Sequence, residues 1–126
     1  MTRPSILENL YQEELYRIPG KVIVVICRPW EEIPAEDRIL LSKILGSVKL
    51  SLASVQIRVY QEFSIKDFYP LAPTHIIVFG ATLKNFSTTY EPLSVDNISI
   101  IMADELNQLD DLKKRSLWLA LKQIFQ

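Results

Sequence analysis

Two apolar runs organise the hydrophobic pattern of this chain. Lys21 to Cys27 reads KVIVVIC, and Thr74 to Thr82 reads THIIVFGAT. Neither alternates polar with apolar, so each predicts a strand with no wet face, set in the middle of a sheet that is covered above and below. The second run ends at Gly80, which permits a tight turn or a close backbone approach, and it is expected to be the central strand. Ser54–Tyr60 instead alternates Val55, Ile57 and Val59 with Gln56, Arg58 and Tyr60. That period of two predicts a strand with one wetter face near the sheet edge. Ile98–Met102, ISIIM, supplies a fourth strand.

Helical spacing appears between these runs. Arg3–Tyr16 sets Ile6, Leu7, Leu10, Tyr11 and Leu15 on one stripe, which Pro19–Gly20 stops. Two readings of it stand open: a helix packed on the domain, or an N-terminal arm that docks a partner. Pro34 suits a first helical turn and Glu36 and Asp37 its positive end. That helix is expected to turn Ile39, Leu40, Leu41, Ile44, Leu45 and Val48 toward the core, with Gly46 near its end. Phe63–Tyr69 predicts at most a short helix capped by Ser64, before Pro70 and Pro73. Lys84–Pro92 reads as a polar loop and Asp104–Gln108 as a single turn. Asp110 caps a last helix, Asp111–Phe125, where Leu112, Leu117, Trp118, Leu121, Ile124 and Phe125 cover a wide arc that Leu119 widens further. Burial between layers is the expectation for that arc, with a partner surface as the alternative.

This order of elements is that of an α/β protein. Right-handed crossovers predict a three-layer α/β/α domain, helices on both faces of a four-stranded, mainly parallel sheet. The expected division is a helical arm over residues 1–19 and one domain over residues 20–126.

Composition narrows the chemistry. The 126 residues, 48% apolar and 23% charged, are an ordinary single-domain balance. A net charge of −1 argues against gripping duplex DNA by neutralising many phosphates, and leaves a local basic patch open. Cys27 is the single cysteine, so no disulfide framework, thiolate metal cage or iron–sulfur ligand set is expected. No charged start leads into a long apolar run, and the expectation is a cytoplasmic protein with neither signal peptide nor membrane span. Gly20, Gly46 and Gly80 stand too far apart for a dinucleotide fingerprint or a P-loop. Neither metal nor cofactor is expected. His75 reads as a satisfied structural histidine and Cys27 as a small buried hydrophobe.

Ligands of open α/β sheets gather at the carboxyl ends of the strands. That region offers Arg28, Trp30, Glu31 and Glu32 after the first strand, Thr82 after the third, and Asp104 and Glu105 after the fourth. Two acids from separate strands would make an acid/base pair; Asp104 and Glu105 serve equally as helix-start residues. Lys113–Lys114–Arg115, beside Asp110 and Asp111, reads as a solvated face.

Three segments carry a resemblance. Leu40–Tyr60, LLSKILGSVKLSLASVQIRVY, resembles the helix–turn–strand of the bacterial uracil-DNA glycosylase superfamily. Pro73–Thr82, PTHIIVFGAT, is similar to that superfamily's strand and glycine–alanine–threonine turn, and Leu112–Ile124 to its closing helix. They occur in the superfamily's order, and imply its fold. The chain departs from the active members at two motifs. Cys27–Arg28–Pro29–Trp30–Glu31 stands where they carry a glycine- and proline-rich motif with an acid. Met102–Ala103–Asp104–Glu105 stands where they carry histidine–proline–serine. The resemblance therefore implies a silent fold without catalytic residues, in which Arg28, Trp30, Thr82 and Asp104 line a vestigial pocket.

Leu7–Gly20, LENLYQEELYRIPG, and Arg115–Trp118 also resemble the leader and last helix of the psi subunits of bacterial DNA polymerase III, silent members of this fold. Carried over, Leu7, Leu10, Leu15 and Tyr16 dock on a clamp-loader ATPase subunit. The body binds a chi-like accessory protein, and no strong direct nucleic-acid contact is expected. The alternatives are another silent binding module of this fold, including a homodimer through the Trp118 helix, and an active glycosylase with altered residues.

Overall fold

A mainly parallel five-stranded sheet carries the chain. The computed structural model describes residues 21–125, so the expected arm of residues 1–19, with Leu7, Leu10, Leu15 and Tyr16, lies outside the described residues. Strand β1 (Val22–Ile26) is buried at every position, and β4 (His75–Phe79) at all but its first. The two lie parallel, Val24 opposite Ile77. The edge strand β2 (Gln56–Val59) flanks β1, and β7 (Ile98–Ala103) flanks β4, both parallel. Two apolar faces thus put β4 in the middle, and the alternating segment lies at the edge.

The sheet has a fifth strand that the polarity pattern does not predict. Strand β6 (Leu93–Val95) pairs antiparallel with β7, giving the order β2-β1-β4-β7-β6. Asp96 and Asn97 join them, both with positive φ (51° and 66°), the signature of a tight hairpin turn whose twist suits antiparallel strands. The Tyr69 hydroxyl donates to the Asp96 carboxylate and ties this turn to the opposite layer.

Strand β1 stops at Ile26 while its two neighbours run on. Past its end their extensions, β3 (Glu62–Phe63) and β5 (Thr82–Leu83), pair in parallel with each other. The N–H groups of Thr82 and Lys84 donate to the carbonyls of Gln61 and Phe63, each at 2.9 Å.

Both α-helices among the described residues cover one face. Leu41 and Leu45 of α1 (Ala35–Gly46), and Leu117, Ala120 and Leu121 of α2 (Asp111–Ile124), pack on Val22, Val24, Ile26, Ile77, Phe79 and Ile101. The opposite face, with Ile23, Val25, Ile76, Val78, Ile100 and Met102, is covered by Phe63, Phe68 and Leu83. Phe68 sits in a 3₁₀ stretch, Ile65–Leu71, whose N-cap Ser64 accepts from Lys66 N–H while Asp67 reaches back to Ser64 N–H. Tyr60, Phe63 and Phe68 form an edge-on aromatic cluster there. The expected helices on both faces are thus corrected among the described residues: the second layer is 3₁₀ and ribbon. Strand order explains the division. The step from β1 to β2 runs one way across the sheet, and the steps β2 to β4 and β4 to β7 run the other. Right-handed crossovers then send α1 to one face and the later connections to the other.

Exposure corrects several expected core positions. Ile39 on α1 is 56% exposed, because it lies about 200° around the helix from Leu41. On α2, Leu117 and Leu121 are buried and Ile124 and Phe125 pack on the core, whereas Leu112, Trp118 and Leu119 are 73%, 41% and 48% exposed, so the wide apolar arc is only partly buried. Val59 is exposed and Tyr60 turns into the second layer. Helix α1 ends on Gly46, close to where the sequence placed its end, but Gly46 is not the left-handed residue that closes it. Its left-handed residue is Lys49 (φ 65°), with Leu50 N–H donating to Leu45 O and Lys49 N–H to Gly46 O, a Schellman closure. Asp110 caps α2 as expected, accepting from Lys113 N–H at 2.8 Å.

Candidate functional site

The reversal in strand order creates a crevice. From β1 the chain leaves toward the helical face, and from β4 toward the other, so the carboxyl ends of these neighbours diverge. Such a switch point is where open α/β sheets bind ligands. Cys27 and Arg28 follow β1, Gly80 follows β4, and Glu105 follows β7.

Gly80 is held at φ +83°, and its N–H donates to Ala103 O at 2.9 Å. A Cβ there would lie 2.9 Å from Cys27 Sγ and closer still to Glu105 Cγ. The glycine makes room for the Glu105 side chain, which lies over it and meets Arg28 Nη2 through Oε2 at 2.8 Å. Both partners are partly exposed, so the pair adds at most about 1 kcal/mol to stability. Its larger effect is to occupy space. The free volume left beneath, among Ile26, Ile33, Phe79 and Leu106, is about 20 Å³, roughly one water. Outward, an open cleft of about 320 Å³ is lined by Cys27, Arg28, Gln61, Gly80 and Glu105.

Cys27 is half-buried and lines this crevice, which corrects its reading as a buried hydrophobe. Burial pushes its thiol up, the Glu105 carboxylate pushes it further by accepting its hydrogen bond and by charge, and Arg28 offsets part of this. It is a neutral thiol at pH 7, not an activated nucleophile.

The four expected pocket residues are not brought together. Arg28 lies in the crevice. Trp30 begins a 3₁₀ turn, Trp30–Glu32, with the Arg38 guanidinium 5.0 Å from its ring centroid. Arg38 also donates to Ile33 O and Trp30 O, so the indole is engaged on the α1 side. Thr82 is exposed in the β3–β5 ribbon. Asp104 accepts from the Tyr90 hydroxyl at 2.6 Å and pairs with Lys113 at 3.2 Å. These contacts, Tyr90 first, hold its carboxyl below the usual range, while burial and then Asp104 push the Tyr90 phenol up to about 12. Each of the two acids after β7 thus pairs with its own cation.

His75 stands at the other end of the sheet. Its Nε2 donates to Ile124 O at 2.9 Å, its Nδ1 is 2.8 Å from Thr74 Oγ1, and its ring stacks 4.3 Å from Phe125. Burial holds its pKa below the ordinary value. It is a neutral clasp on the end of α2.

A second depression separates the two helices. An apolar groove of about 180 Å³ is lined by Leu40, Lys43, Ile44, Ser47, Lys114, Leu117 and Trp118. Lys122 Nζ lies 4.5 Å from the Trp118 ring centroid. Comparison of the chain with protein families, curated proteins and solved structures matches none of them.

Proposed function

We propose that this chain is a non-enzymatic adaptor of the psi type, joining a clamp-loader ATPase subunit to a chi-like accessory protein. The observation that carries the reading is the Arg28–Glu105 pair lying over Gly80. At the switch point, where a glycosylase of this architecture would seat a flipped base, the chain's own side chains leave about 20 Å³ beneath the ion pair and, outside it, an open cleft lined by Cys27, Arg28, Gln61, Gly80 and Glu105 with no aromatic side chain to stack a base. A flipped base needs a shaped pocket with stacking and hydrogen-bonding groups. Here the one nearby indole, Trp30, is stacked with Arg38. The parallel sheet order and the ordered resemblance of Leu40–Tyr60, Pro73–Thr82 and Leu112–Ile124 support a silent fold of the uracil-DNA glycosylase kind. In this reading Leu7, Leu10, Leu15 and Tyr16 contact the clamp loader.

The test is capture of purified clamp-loader subunits on immobilised full-length protein, beside a version lacking residues 1–18. Retention by the full chain and loss with the truncation is expected. Equal retention by both baits, or by neither, overturns the assignment. The exposure of Leu112, Trp118 and Leu119 favours a second reading, self-association through α2; a monomer in sedimentation at high concentration rejects it. Cleavage of a uracil-containing single strand would revive the glycosylase alternative.

A further inference from the structure

The α1–α2 groove has an apolar floor and a basic edge, and both features match one segment of this chain. Leu40, Ile44, Leu117 and Trp118 line it with Lys43 and Lys114, and no acid contributes. Residues 3–16 carry the reverse net charge, Arg3 against Glu8, Glu13 and Glu14, beside an apolar stripe of Ile6, Leu7, Leu10 and Leu15.

Position joins the two. Lys21, where the described chain begins, accepts from Thr74 N–H at 2.8 Å. The adjacent His75 holds Ile124 O, at the last turn of α2. Helix α1 ends on the same side, because it must return from the carboxyl end of β1 before β2 starts parallel to it. The segment preceding Lys21 therefore starts beside the ends of both helices. From Lys21 back to Tyr16 the chain spans up to about 17 Å. The helix that the apolar spacing predicts over residues 3–16 would be about 21 Å long, close to the roughly 18 Å of the 12-residue α1.

We propose that residues 3–16 lay their apolar stripe in the α1–α2 groove of the same chain, with Glu13 and Glu14 turned toward Lys43 and Lys114. The contact is independent of the adaptor reading. Only its consequence rests on that reading: a partner that takes Leu7 and Leu10 must first lift them from the groove.

The test is disulfide trapping in the full chain in a Cys27→Ser background. Leu10→Cys is paired with Ile44→Cys, and in a control with Glu31→Cys near the carboxyl ends of the strands. Under mild oxidation of dilute protein, the Ile44 pair is expected to close within one chain at least tenfold faster than the control. Lys43→Glu with Lys114→Glu is expected to slow closure about tenfold, and adding Glu13→Lys with Glu14→Lys to restore it. The Trp118 indole N–H resonance, with both native side chains in place, is expected to shift when residues 1–18 are removed. Equal closure rates overturn the proposal, as does a Trp118 resonance unmoved by the truncation. So do disulfides that form only between chains, which assign the groove to a second copy, or closure indifferent to charge reversal. None of these outcomes depends on a clamp loader.

Discussion

Gly80→Ala isolates the close packing at the switch point. The substitution places a Cβ on a residue at φ +83°, a conformation that costs an L-residue about 1–2 kcal/mol. The new carbon also overlaps Glu105 Cγ and reaches 2.9 Å from Cys27 Sγ. Overpacking of this kind costs about 1–3 kcal/mol. The loss of chain entropy in the unfolded state returns about 0.4–1 kcal/mol. The net expectation is a loss of about 1–4.5 kcal/mol, a fall of roughly 0.5–2 M in urea midpoint for a domain of this size. Glu105→Ala alone removes a partly exposed ion pair and costs about 0–1 kcal/mol. In the Gly80→Ala background the same change removes the obstructing Cγ, so it should be neutral or stabilising there. Urea unfolding of the four proteins at pH 7.5, followed by far-UV circular dichroism, gives the coupling energy directly. Gly80→Ala within about 0.5 kcal/mol of wild type, or additive single changes, refutes the packing argument.

Three further expectations follow from named contacts. Glu105→Ala removes the carboxylate that raises the Cys27 thiol, so Cys27 should react several-fold faster with a disulfide reagent at pH 8; an unchanged rate contradicts the assigned hydrogen bond. Burial lowers the His75 pKa in the folded chain, so the unfolded chain takes up the proton first. That contribution to stability is complete above about pH 6.5 and declines as the pH falls below it; urea midpoints at pH 7.5 and 5.5 should differ more in wild type than in His75→Gln. Lys49→Gly relieves the left-handed residue that closes α1 and should stabilise by about 0.5–1 kcal/mol net of glycine's unfolded-state entropy, read as a higher urea midpoint.

What the sequence disclosed follows from which forces are local. The two all-apolar runs announced β1 and β4 as interior strands, and Ser64 and Asp110 announced their caps, because period and capping are written within a few residues. Strand β6 escaped the polarity pattern because three residues ending a polar loop have no period to read. Its signal was the turn, Asp96–Asn97 between Val95 and Ile98, a dipeptide suited to positive φ. The face on which each connection packs depends on strand order, which no segment encodes alone. Apolar count likewise overstates burial: Ile39 and Leu119 look like their buried neighbours in composition and differ only in angle around the helix. At the site, Gly80 was legible as a close approach and Glu105 as one of the groups at the carboxyl ends. Their meeting with Arg28 required the fold, since the three residues follow three different strands.

The parallel pairing of β1 with β4 also sets a schedule for synthesis. The bond between Lys21 and Thr74 joins residues 53 positions apart. At roughly 5–20 residues per second, a ribosome needs about 3–10 s after emitting VIVVI before its central partner exists. Even the edge strand β2, which arrives sooner, leaves one flank of β1 open throughout that interval. The most apolar stretch of the chain therefore spends its first seconds half-paired, and anything that slows translation between residues 27 and 79 lengthens its exposure to chaperones and to other nascent copies.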